Sequence, residues 1–350
     1  MFKIKEHNTT FTMNLLDCYL NKIIKDNIDI DYNLPDLSIY SKEHIDNRIK
    51  TLLKYKDKLN ELKCIPHVKQ RTDEWFKLRE NRLTASDLGE AIKNNNLNLI
   101  KKKSGLFKDN INYGVIPALK WGVMFESMAA RCYSQMFNNI NIIDFGLIPH
   151  KTLEHFGASP DGINEFGIMI EIKCPYSREI KDNSIPEKYY MQIQGQLAVC
   201  ELEECDYIEC CFKTYNSAYK YVDIVENELG NSFINHGIIA EYKNIETDDF
   251  EYLYSNENLK ASDAFNNINK KIYDYENDLI NKNKKLVRLS PWILEKINIQ
   301  RVTFDKELWD NTIPKIINFW EKVEEFKKNP IQNDTNIVKN KKKIEFIDDD

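Results

Sequence analysis

Residues 159–175 read SPDGINEFGIMIEIKCP, a short hairpin that gathers Asp161, Glu171 and Lys173 at its open end. From Gly167 to Cys174, Ile168, Ile170 and Ile172 alternate with Met169, Glu171 and Lys173, the period of a strand whose successive side chains point to opposite faces. Glu171 and Lys173 therefore share one face. The isoleucines take the other, and because a slip of one residue would turn both charges inward, the pattern fixes the register. Asp161 stands just before Gly162 and ahead of a turn marked by Asn164 and Gly167, where it can face Glu171 across the pair. Two carboxylates converging on one point repel unless a cation lies between them, and hard oxygen ligands suit Mg²⁺, with Mn²⁺ as a substitute. Such an ion polarises a phosphodiester and acidifies the attacking water, while the neighbouring Lys173 orients that water or stabilises the developing charge. A Glu–Lys pair on a wet strand beside an ordinary Asp-Gly turn has the same spacing, so the hairpin alone leaves both readings open.

Further blocks surround it in order: WFKLR at 75–79, LTAS at 83–86, Trp121-Gly122 with Phe125-Glu126, ASPDG at 158–162, EIKCP at 171–175 and YMQIQ at 190–194. Together they resemble the phage lambda exonuclease and YqaJ-type viral recombinase family of the PD-(D/E)XK nuclease superfamily, over roughly Gln70 to Phe212 with a weaker echo near the C-terminus. The resemblance implies an α/β (α+β) fold, a central mixed β-sheet flanked by helices around a restriction-endonuclease-like core. It implies a Mg²⁺-dependent deoxyribonuclease, a 5′→3′ exonuclease on double-stranded DNA ends serving recombination, repair or replication. Asp161 and Glu171 would bind metal with the Ile172 backbone carbonyl, Lys173 would support the nucleophilic water, and Glu126 would act as a ligand or through water. A glutamine of the helix after the hairpin would position the lysine or the water, Gln192 first and Gln194 second. Arg79 and Ser86 would hold the 5′-terminal phosphate. A structure-specific or restriction-like endonuclease, and a non-catalytic DNA-binding scaffold, are the alternative readings. An annealing protein as partner and a trimeric ring around DNA are implied by the resemblance alone.

Each block also has a reading of its own. Thr84-Ala85-Ser86-Asp87 before Leu88 is a helix start, with Ser86 or Thr84 able to cap it, and free N–H groups at such an end attract phosphate. Arg79, on a helix of its own, offers a planar fork for bidentate phosphate contact. Residues 119–137 carry Phe125, Met128, Ala129, Cys132, Tyr133, Met136 and Phe137 at helical spacing, a largely buried helix whose face Glu126 interrupts. A buried carboxylate needs a partner, and Gly122 and Ala130, one turn to either side, leave room for one. Residues 185–200 read as a second helix, with Pro186 near its start.

The chain has 350 residues, 42% hydrophobic and 30% charged, with a net charge of −6, ordinary globular usage. No run of about 18 apolar residues and no signal-peptide core is visible, so the expectation is a soluble intracellular enzyme without a membrane span, in the host cytoplasm or at a viral replication site if viral. Eight cysteines without a Cys-x-x-Cys pair read as free thiols, and the five-residue spacing of Cys200, Cys205 and Cys210 does not match an iron–sulfur pattern. Local charge matters more than the total for DNA contact, and Lys101–Lys103 with Lys108 around Phe107 read as a DNA-facing or merely solvated loop.

The expected organisation is an N-terminal helical extension at 1–65, a nuclease domain at 66–328 with an insertion at 213–300, and a charged, disordered tail at 329–350. Within the extension two amphipathic helices run through Leu15–Ile24 and Ile45–Leu59. Strands are expected at 207–212, 219–225, 236–242 and 250–254, and helices at 267–285 and 310–327.

Overall fold

The alternating stretch after Gly167 is a strand, and it lies inside a seven-stranded mixed sheet. The computed structural model describes residues 9–26, 40–66, 68–106, 116–228 and 236–330. In chain order these form α1 (Thr9–Asp26), α2 (Lys42–Lys63), α3 (Asp73–Glu80), β1 (Leu83–Thr84), α4 (Ala85–Ala91), α5 (Leu97–Lys103) and α6 (Pro117–Met136). There follow β2 (Ile142–Ile143), β3 (Ile148–Pro149), β4 (Phe156–Ala158), β5 (Gly162–Asn164), β6 (Met169–Lys173), α7 (Glu187–Cys200) and β7 (Glu204–Thr214). The remainder is α8 (Ala218–Asp223), β8 (His236–Asn244), β9 (Phe250–Tyr254), α9 (Ala261–Asn277), β10 (Lys284–Thr303) and α10 (Lys306–Lys328). Phe107, Lys108 and residues 331–350 of the expected tail lie outside the described residues.

The large sheet runs β2-β5-β6-β7-β10-β8-β9, with β6 and β7 parallel and its other neighbours antiparallel; β1, β4 and β3 form a small second sheet. The fold is thus mixed α+β, a central sheet with helices on both faces. One face packs α4, α7 and α10 through residues such as Leu88, Leu197 and Phe319, against Met169 and Tyr207. The other packs α1, α2 and α6 through Leu20, Tyr55 and Phe125, against Ile168, Ile170 and Ile172. Both faces of β6 are covered, as is usual where a strand runs parallel to its neighbour.

Two glycines set close approaches. Gly167 turns the β5–β6 hairpin at φ +85°, and a Cβ there would lie 2.4 Å from the Tyr55 carbonyl, so the turn is seated on α2. A Cβ on Gly195 would meet Leu88 at 3.0 Å and Phe156 at 3.1 Å, which brings α7 hard against α4.

Three expectations are corrected. Residues 219–225 are not a strand: Ser217 caps α8 by accepting from Lys220 N at 3.3 Å, and Tyr221 and Val225 are buried at helical i, i+4 spacing. The helix expected at 267–285 begins earlier, at Ala261, and ends at Asn277, its buried face being Ala261, Ala264 and Ile268. Lys101–Lys103 are the last turn of α5 rather than a loop, and Lys103 is buried with its ammonium 2.8 Å from Asp87.

The 213–300 stretch feeds the same large sheet. β10 pairs with β8 through its first half and with β7 through its second, so one 20-residue strand joins β8 and β9 to the sheet that holds β6. The N-terminal helices are likewise embedded. Arg48 of α2 bonds Asp17 of α1 (2.6 Å) and Glu204 of β7 (2.6 Å), and Arg301 of β10 bonds Asp206 (2.5 Å), Glu204 and Asn14.

Candidate active site

Asp161 sits one step beyond the Gly162–Ile170 pair, opposite Glu171, and its Oδ2 accepts a 2.7 Å hydrogen bond from Ile172 N. Glu171 has no exposed surface, so the wet-strand reading of the hairpin does not hold. Its Oε1 accepts from Lys173 Nζ at 2.7 Å and from Gln192 Nε2 at 2.6 Å, and its Oε2 accepts from Gln196 Nε2 at 2.7 Å. A carboxylate offers about four lone-pair positions, so this one keeps capacity for a further partner. The Lys173 ammonium also lies 4.8 Å from the centre of the Tyr189 ring.

Glu126 projects from α6 toward the same point, lining with Asp161, Ile172 and Lys173 a cavity of about 170 Å³; a Cβ on Gly122, one turn earlier, would touch nothing. Its partner is Arg71, whose Nη2 lies 2.5 Å from Glu126 Oε2. The carboxyl of Asp161 is pushed well above the usual range by burial first, then by the charges of Glu171 and Glu126. Burial works against the charge of Lys173, but Glu171 and Asp161 outweigh it and raise its pKa, so it remains an ammonium.

Gln192 therefore reaches the site, and Gln194 does not. The side chain of Gln194 is buried on another side of α7, donating to the Thr303 carbonyl at 3.0 Å and accepting from Asp305 N at 2.8 Å. Gln196 is the residue the sequence reading missed. Its position one helical turn after Gln192 was the available signal, since i and i+4 share a face.

Arg79 and Ser86 are brought together: Arg79 Nη2 donates to Ser86 Oγ at 3.1 Å while its guanidinium lies 4.2 Å from the centre of the Trp75 ring. Trp75 Nε1 donates to Ser159 Oγ at 3.0 Å, which ties this pair to the segment leading into Asp161. Thr84 occupies the N-cap of α4 but makes no side-chain cap bond; its hydroxyl lies 3.0 Å from Ser86 Oγ and donates to Asp87 at 3.1 Å. Burial raises the pKa of Asp87, yet the buried Lys103 ammonium more than offsets it and holds the carboxyl below its usual range.

The oxygens of Asp161, Glu171, Glu126 and the Ile172 carbonyl are hard donors of the kind Mg²⁺ or Mn²⁺ takes. Among the described residues no three His, Cys, Asp or Glu side chains form a ready metal cage. Gln196 Oε1, on the residue that holds Glu171, is buried and has no hydrogen-bond partner among the described residues.

A mixed sheet flanked by helices, with Asp161 and the Glu171-Ile172-Lys173 triplet meeting on neighbouring strands, is the arrangement that the resemblance to the PD-(D/E)XK class implied. Residues 74–203 match the YqaJ-like viral recombinase domain family. An uncharacterized protein of Acanthamoeba polyphaga mimivirus is 26% identical over 303 residues, 76% of this chain and 54% of that protein. A protein of African swine fever virus is 28% identical over 178 residues, 41% of this chain and 50% of that protein. The chain spans about half the length of these curated relatives. Among solved structures, an alkaline exonuclease from Laribacter hongkongensis is similar at a TM-score of 0.45 and 19% identity, covering 74% of this chain and 96% of its own. A phage-related exonuclease from Haemophilus somnus gives 0.41 and 10%, covering 71% and 96%. Among the described residues no helix is long and apolar enough to cross a membrane.

Proposed function

We propose that this chain is a divalent-metal-dependent deoxyribonuclease that digests double-stranded DNA from its ends in the 5′→3′ direction, in viral recombination, repair or replication. The observation that carries the reading is the meeting of Asp161, Glu126 and Lys173 at one cavity, with the Lys173 ammonium 2.7 Å from the fully buried Glu171 behind it. Mg²⁺, or Mn²⁺ in its place, held by Asp161, Glu171, the Ile172 carbonyl and Glu126 directly or through water, would polarise the phosphodiester and acidify the attacking water. The chain's own residues do the rest. Lys173 orients the water and meets charge developing on the phosphate, Gln192 and Gln196 fix Glu171, and Arg79 with Ser86 grips the 5′-terminal phosphate. An end-phosphate pocket has little use in internal cutting, which favours an exonuclease over an endonuclease. By the same family resemblance the chain would act with a single-strand annealing protein and assemble as a ring of three.

The test uses linear 5′-phosphorylated duplex, linear 5′-hydroxyl duplex and covalently closed circles, each with Mg²⁺, beside Asp161→Ala. Loss of the linear DNAs alone, fastest with 5′ phosphate and absent in the variant, supports the proposal. Nicked circles would replace it with an endonuclease, and intact DNA throughout with a scaffold.

A further inference from the structure

From Asp161 and Ile172 a second cavity of about 690 Å³ opens between α6 and β9, on the sheet face opposite α4 and α7. The sheet curls to close it: Tyr254 Oη donates to the Met124 carbonyl at 3.0 Å, and Lys120 Nζ bonds Glu241 at 2.6 Å while lying 3.9 Å from the centre of the Phe250 ring. Strand period places Phe250, Tyr252 and Tyr254 on one face of β9, and all three line this cavity. Lys120 takes the Phe250 ring and Met124 the Tyr254 hydroxyl. Tyr252 remains half-buried, its ring 6.5 Å from that of Tyr254 and its hydroxyl unbonded among the described residues.

Arg71 stands across the cavity mouth, close enough for its charge to act on both tyrosine hydroxyls. Its φ of 64° is a left-handed backbone that side chains rarely adopt, and such strain persists only where neighbours enforce it. Gln70 enforces it here, donating to the carbonyls of Phe145 at 2.8 Å and Pro160 at 2.9 Å, so Arg71 is held beside the segment that carries Asp161. Among the described residues its bond to Glu126 leaves most of a five-donor guanidinium unused, with nearly half of the side chain exposed.

We propose that the Arg71–Tyr252 cavity is a nucleotide subsite adjoining the cleavage centre, where a base of single-stranded DNA stacks on Tyr252 and its phosphate meets Arg71. Aromatic faces stack any base, and a planar guanidinium takes phosphate oxygens in pairs, so the subsite holds a strand without reading its sequence. It rests on the nuclease reading for its substrate. It also gives the 213–300 stretch a role, because β9 supplies the stacking wall on the face opposite Arg79 and Ser86.

Binding without cleavage separates the two ideas. A short 5′-phosphorylated oligodeoxythymidylate is titrated in EDTA into the full chain, Tyr252→Leu, Tyr252→Phe and Arg71→Gln, and wild-type protein is photo-crosslinked to the same strand carrying iododeoxyuridine. Tyr252→Leu should weaken binding roughly 10-fold, with Tyr252→Phe within about twofold of wild type. Arg71→Gln should weaken it and flatten its salt dependence, and the crosslink should fall on β9. Unchanged affinity in Tyr252→Leu and Arg71→Gln, or crosslinks confined to the Arg79 face, overturns the subsite even if wild-type protein digests DNA. The predicted losses in a protein that cleaves nothing would keep the subsite and discard the nuclease.

Discussion

Gln196 Nε2 lies 2.7 Å from Glu171 Oε2, and Gln192, one helical turn earlier, holds the other oxygen at 2.6 Å. The two amides grip a carboxylate with no exposed surface from a single helix face. Of the two, Gln196 is itself buried while Gln192 is partly exposed, so Gln196 sets where Glu171 points and Gln192 can also meet substrate.

Replacing Gln196 by leucine should therefore lower kcat with little change in KM. Losing one hydrogen bond to a charged group costs about 1.5–3 kcal/mol, on the order of a 10- to 100-fold rate loss if all of it falls on the transition state. Gln196→Glu should be worse, since it puts a second carboxylate against Glu171. Steady-state kinetics on a 5′-phosphorylated duplex, with melting temperatures as the folding control, decide it; a wild-type kcat in Gln196→Leu would show that Gln196 only fills space.

Metal should stabilise the fold as well as enable chemistry. Burial, and then the charges of Glu171 and Glu126, raise the cost of ionising Asp161, and an ion bound there stabilises the native state by about 2.7 kcal/mol at a hundredfold excess over Kd. Thermal melts should shift upward with Mg²⁺ or Mn²⁺ relative to EDTA. In Asp161→Asn the shift should shrink sharply, while the EDTA melting point rises because a repelling charge is gone. Superimposed melts of the wild-type protein with and without metal would count against a site at these residues.

The strand period exposed Glu171 and Lys173 because a two-residue repeat survives in any sequence that builds β6. What it could not show was the cover: α7, joined through the 174–186 loop, buries Glu171 completely, and only tertiary packing decides that. β10 was hidden for a different reason. Pro291 removes a ladder donor in mid-strand, and register shifts near Leu286 and Leu294 break the alternation twice, so a 20-residue strand does not read as one. Gln194 stayed open as a second choice behind Gln192 because helix position alone does not say which of two nearby amides faces the sheet end. Lys103 looked like a solvent-facing charge in a basic run, yet its long stem carries the ammonium inward to Asp87.

The pairing of Arg79 with Ser86 predicts end discrimination. Arg79→Ala should cut the rate on 5′-phosphorylated duplex at subsaturating DNA by roughly 10- to 100-fold, the worth of a charge-assisted phosphate contact, while the slower 5′-hydroxyl duplex changes little. Ser86→Ala should act in the same direction and less strongly. The measurement is the ratio of initial rates on the two ends; a ratio unaltered by Arg79→Ala would place the end phosphate elsewhere.

The buried network between the N-terminal helices and the sheet makes a stability prediction with a definite pH sign. Burial raises the pKa of Glu204, but Arg48 and Arg301 overcome it and hold the carboxyl below its ordinary value near 4.5. A depressed carboxylate contributes stability that is present above its unfolded pKa and lost as pH falls through the folded one, so this contribution fades below about pH 4.5 and is constant at neutral pH. Arg301→Met should destabilise by about 3–5 kcal/mol at neutral pH, because it leaves Asp206 and Glu204 buried with one cation fewer. Removing residues 1–65 should be as damaging, since it takes away Arg48, Asn14 and the α2 seat of the Gly167 turn together. Urea unfolding near neutral pH and below about pH 4.5 tests both claims: Glu204→Gln should lower stability at neutral pH and flatten the acid limb. A truncated chain that melts like the full one would mean that the helices are dispensable to the hairpin they hold.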